Sequence, residues 1–141
     1  MKKLMTSVCA LFVLICASTA FAGQDIPSLT GTWTVQSEGG IIVRGDQPGK
    51  VTHWEEKQTS LIGELTILTQ NGRTLSGVFK SPKAEERFIG VIGHDNVSLH
   101  FADEDGMFDG KLIDQNTIES VYRHVKATDT VVAVGIWKRK Q

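Results

Sequence analysis

The chain has 141 residues, with 15 Lys and Arg against 16 Asp and Glu, and its two cysteines, Cys9 and Cys16, stand near the start. A near-neutral balance, with no basic cluster beyond Lys138-Arg139-Lys140 at the end, argues against a nucleic-acid partner. Everything after Cys16 lacks the residue needed for disulfide or thiol chemistry.

Lys2 and Lys3, the apolar run Leu4 to Ala17 and the small-residue site Ala20-Phe21-Ala22 read as a secretory signal cleaved after Ala22. The expected location is therefore secreted or periplasmic, and no later apolar run is long enough for a membrane span. Removing residues 1–22 takes two lysines with it. The remaining 119 residues, from Gly23, carry 13 basic against 16 acidic side chains, a net charge of −3. Residues 23–141 fit one domain.

That domain reads as short alternating runs separated by turn residues: Asn71-Gly72, Ser81-Pro82, Asp95-Asn96, Asp105-Gly106, Gln115-Asn116 and Thr128-Asp129. The expected strands are 29–37, 61–70, 73–81, 86–93, 97–103, 106–113, 116–125 and 130–140. Connections after residue 61 are short, so sequence neighbours should pair. The expected fold is all-β, an eight-stranded antiparallel up-and-down β-barrel with one long loop at 38–60.

A pattern of large apolar, any, Gly, any, large apolar recurs along these strands. It appears as LTGTW (29–33), LIGEL (61–65), LSGVF (75–79), FIGVI (88–92), FDGKL (108–112) and, with a smaller first residue, AVGIW (133–137). Residues two apart on a strand share a face. The glycine and its large companions therefore point inward together, letting a tightly coiled strand bend and leaving room for a neighbour's bulk. Ile89 and Val91, and likewise Val134 and Ile136, are apolar on the opposite face. They need a cover, either residues 38–60 with Ile41, Ile42, Val43, Val51 and Trp54, or another molecule.

Ser28-Leu29-Thr30-Gly31-Thr32-Trp33 resembles the opening strand of avidins and streptavidin-like proteins, and its Gly-x-Trp is similar to the first-strand motif of lipocalins. The resemblance implies a calycin-type barrel that binds ligands at an open end. It also implies that Trp33 packs at the closed end against a basic side chain near the chain's end, for which Arg139 is the match. Biotin is not implied, because the positions of its polar partners fall on Val35 and Gly39. The span from Phe88 to Trp137 also resembles a family of uncharacterised secreted barrels with an Asp-Glu-Asp-Gly hairpin.

No nucleophile elbow, phosphate loop or His-x-His arrangement is present, so neither an enzyme, a cofactor nor a metal is expected. Asp103-Glu104-Asp105-Gly106, with Asp109, does not have the spacing of a helix–loop–helix calcium loop and reads as a turn. His100 and His124 lie on strands that pair late in the chain, but nothing aims them at one pocket. Glu55-Glu56 and Glu85-Glu86 are adjacent pairs, whose members face opposite ways on a strand, and they read as solvated.

Two functions remain open. The first is a non-enzymatic binding protein for a small apolar or amphipathic ligand at the barrel mouth, gated by 38–60 and contacted by His53, Trp54 and Ile42. The second is a protein-interaction or inhibitor-type barrel with a filled interior, whose contact surface is Ile89, Val91, Val134 and Ile136. A homo-oligomer is one form of the latter.

Overall fold

The structure, a computed structural model, describes residues 25–44 and 53–141. The signal segment lies outside the described residues. Strands β1 (Gly31–Val43), β2 (Ser60–Asn71), β3 (Thr74–Lys80), β4 (Glu85–Ile92), β5 (Ser98–Asp103), β6 (Met107–Asp114), β7 (Thr117–Val125) and β8 (Asp129–Arg139) form the chain order. Each pairs antiparallel with the next, and β8 returns to β1, closing an eight-stranded up-and-down barrel. Closure leaves no strand edge unpaired.

The long connection is shorter than expected. Ile41, Ile42 and Val43 belong to β1, which runs on past Gly39-Gly40 and pairs with β8 as far as Val43 opposite Asp129. The two glycines look like a break in sequence, but they serve a close approach. A methyl group on Gly39 would lie 2.2 Å from the Val132 carbonyl oxygen, so only a bare backbone fits beside β8 there. The Gly39 N–H leaves the β2 ladder and donates to the Thr59 carbonyl. Residues 45–52 lie outside the described residues.

The repeated glycines of the strand interiors face in. Three of them seat a ring from the next strand: Gly63 lies against Phe79, Gly77 against Phe88 and Gly90 against Phe101, whereas Gly135 meets only the small Ser37 and Ser120. Gly31 differs: it is exposed at the barrel end with a φ of 120°, beside the Arg139 guanidinium. The interlocked rings of Phe88, Phe101, Phe108 and Trp137 contact one another at centroid distances from 4.6 to 5.9 Å, filling the middle of the barrel.

One end is sealed by apolar side chains. Leu29, Trp33, Leu75, Ile92, Leu99 and Ile118 are all buried there. Arg139 lies over the Trp33 ring, 4.2 Å from its centroid. Its Nη1 and Nη2 donate to the carbonyls of Thr30 and Ser28, at 2.7 and 2.9 Å, and its Nε to that of Gln115. One guanidinium thereby ties the start of the barrel to its last strand.

Candidate functional site

The opposite end, the mouth, is built differently. The alternation that points Phe88, Gly90 and Ile92 inward on β4 also points Glu86 inward, and the same parity carries Asp103 on β5, Tyr122 and His124 on β7 and Asp129 on β8. All five sit at the strand ends around one rim. Burying polar and ionisable groups costs stability unless each is matched, so their partners define the site.

His124 and Asp129 are both buried, Asp129 at 1% exposure. The His124 Nε2 hydrogen bonds to Asp129 Oδ1, whose other oxygen accepts the Thr128 hydroxyl at 2.7 Å. A carboxylate can only accept, so Nε2 carries the hydrogen; in the neutral ring Nδ1 accepts the Tyr122 hydroxyl, 3.0 Å away. Burial, and then the charges of Asp103 and Glu86, push the Tyr122 phenol far above its ordinary value, so it stays protonated.

Across the rim, His53 Nδ1 meets Ser81 Oγ at 2.8 Å, and Ser81 Oγ accepts the backbone N–H groups of Lys83 and Ala84. Since that oxygen already accepts twice, its own hydrogen goes to Nδ1, leaving the hydrogen of the neutral ring on Nε2. His53 Nε2 faces Glu86 Oε2 at 3.1 Å. The two buried atoms face each other, but the alignment falls short of a hydrogen bond. Glu86 is therefore not solvated, contrary to the expectation for the Glu85-Glu86 pair: Glu85 is outside and Glu86 within.

Asp103 closes the ring. Its Oδ1 accepts the backbone N–H groups of Asp105 and Gly106, which makes the turn read from the sequence. Burial, opposed by these two bonds and reinforced by the charges of Glu86 and Asp105, holds its carboxyl above the usual carboxylate range.

Beside these groups, and lined by His53, Asp103 and Tyr122 among them, lies a partly enclosed cavity of about 60 Å³ with mainly apolar walls, including Val35, Leu61, Leu65, Phe79, Phe108 and Trp137. His53 and Trp54, two of the residues singled out in the sequence, are buried over it and line it. The third, Ile42, is not brought to the site; it is 64% exposed on the outer face of β1. His100 also lies outside, its Nδ1 2.9 Å from Asp109, so it does not approach the inward His124. Among the described residues no group of three or more His, Cys, Asp or Glu is arranged to hold a metal ion.

The outward apolar pairs are all exposed, but they do not form one surface. Ile89 and Val91 are on β4 and Val134 and Ile136 on β8, on opposite sides of the closed sheet. Val134 and Ile136 lie in an outer groove with Ile62 and Val121. Its floor follows the register row Ser37–Gly135–Ser120–Gly110, where small inward side chains let the wall sink. Ser37, Leu61 and Ser120 border both this groove and the internal cavity.

No family model matches the chain, and no curated protein matches it. Among solved structures, a redesigned β-barrel is similar to it, with a TM-score of 0.50 and 10% identity over 80% of this chain and 92% of that one. At this identity the likeness shows the fold alone.

Proposed function

We propose that the protein is a non-enzymatic binding barrel of the periplasm or extracellular space, taking a small apolar or amphipathic molecule at its mouth. The observation that carries this reading is the asymmetry of the two ends. One end is sealed with apolar side chains. The other buries Glu86, His124 and Asp129 beside a residual cavity that His53, Trp54, Asp103 and Tyr122 line. A barrel needing only a filled core could place apolar residues at both ends, because such residues often stabilise as well as or better than buried ionisable pairs of similar volume. The first-strand likeness to avidins and lipocalins supports the same reading, since those barrels bind ligands at an open end.

The test is to purify the protein from its exported form and examine it by native mass spectrometry and with a neutral apolar dye. A copurified small molecule, or a blue shift lost in Trp54→Ala, is the expected result. Absence of both in a folded barrel would remove the proposal.

A second reading, an interaction barrel, is favoured by the exposed row Val132, Val134 and Ile136 on β8, of which Val134 and Ile136 line the outer groove. Light scattering separates the two. A self-assembling barrel has a mass that is a multiple of the chain, and Val134→Glu should reduce it to one copy.

A further inference from the structure

The walls of the mouth cavity combine two features that point to one ligand chemistry. Five aromatic rings line it, Trp54, Phe79, Phe108, Tyr122 and Trp137, together with the His53 imidazole. Ring faces carry partial negative charge and attract cations. Three acidic side chains sit within or beside the same walls, and two have a histidine: Glu86 faces His53 and Asp129 faces His124. Asp103 lines the cavity itself. Its hydrogen bonds come from two backbone N–H groups, and its acidic neighbours Glu86 and Asp105 repel it. Asp105 is taken by Lys126. The site thus has a half-buried carboxylate within an aromatic enclosure and no cationic side chain set against it among the described residues.

We infer that this cavity seats the head of a small organic cation, an ammonium or methylated ammonium group on an apolar tail, held by the ring faces and by Asp103. The inference rests on the proposed mouth site and names its ligand. An anion would meet Asp103 and the ring faces with the wrong sign. A neutral head would leave the carboxylate uncompensated. Size agrees: about 60 Å³ exceeds the roughly 10–15 Å³ needed to seat one water but falls well below the ~150 Å³ that holds a benzene. Only a head of a few heavy atoms fits, so a tail must lead outward.

The experiment compares four probes of one chain length, octylammonium, octyltrimethylammonium, octanol and octanoate, by calorimetric titration at neutral pH. At least one of the two cations should bind about tenfold or more tightly than octanol, with octanoate weakest. Asp103→Asn keeps an oxygen for the Asp105 and Gly106 N–H groups and should narrow the gap between cation and octanol to within about threefold. If that variant does not fold, Phe79→Leu, which removes a ring but keeps an apolar wall, should narrow it as well. Octanol binding as tightly as both cations would overturn the cation inference while leaving the mouth a ligand site. A cation preference untouched in the folded variant would overturn the role given to Asp103. Failure of all four to bind a natively folded barrel would take down both this inference and the proposed function.

Discussion

At Gly77 the barrel has no room for even a methyl group: one built there would lie 2.0 Å from the Thr66 carbonyl oxygen and 2.7 Å from the Phe88 ring. Because the first obstacle is backbone, Gly77→Ala should cost about 1–3 kcal/mol in denaturant unfolding. Gly40→Ala, where nothing lies within 4 Å, should be neutral or slightly stabilising. Equal effects at the two sites would mean that the ring seats are not tight. Two aspartates should respond to pH with opposite signs. Asp95 is held down at about 2 by the Ser98 hydroxyl and then by the backbone N–H groups of Ser98 and Val97. The stability it lends is present above the unfolded value near ~3.9 and lost as pH falls through about 2. Asp103 is raised, chiefly by burial, so its ionised form is penalised in the fold, fully so above the raised value. Asp103→Asn should therefore melt higher than the parent at neutral pH, the advantage vanishing below about pH 4 as both states protonate. Melting curves at pH 7 and pH 3.5 check this. The inward parity of Glu86, Asp103, Tyr122 and His124 is legible in the strand alternation, whereas Asp129 falls in the expected Thr128-Asp129 turn and joins β8 only in the structure. Charged residues at strand ends are mostly solvated, and nothing in the chain tells which polar end residue finds a buried partner.

Among the elements, β1 shows both the reach and the limit of the pattern. Trp33 and Val35 alternate as an inward face should, with Leu29 buried just ahead of the strand, and Trp33 opposite Arg139 is a register pair of β1 with β8. The same strand continues through Gly39-Gly40 because β8, far away in sequence, supplies its ladder, a tertiary effect that local residue types cannot report. The junction carries a prediction of its own. Arg139→Met removes the guanidinium from the Trp33 ring together with three carbonyl contacts, and should cost about 1–3 kcal/mol. Arg139→Lys should recover only part of the loss, since an ammonium cannot reach three carbonyls in one plane. Unchanged unfolding midpoints in both would show that this end is held by apolar packing alone.

For the molecule as a whole, the strand count, the order and the inward glycines followed from alternation and turn spacing, because a closed meander needs only local connections until its last step. That step joins β8 to β1, nearly the whole length of the described chain apart. A fold completed by so distant a pairing should refold in milliseconds to seconds as one transition, monitored by Trp33 and Trp137; native fluorescence regained within microseconds would contradict it. The sequence could not show how much of the interior the rings would occupy, since that depends on how rows of small residues on β1, β8, β7 and β6 let one wall sink. Ser37, Leu61 and Ser120 stand at that sunken place with the cavity on one side and the outer groove on the other. The barrel there is a pane one backbone thick, and a guest under Trp54 would rest against its flank. Trimming Leu61 to alanine would thin the inner facing of that pane without opening it, since the ladder from β2 through β1 and β8 to β7 stays paired there.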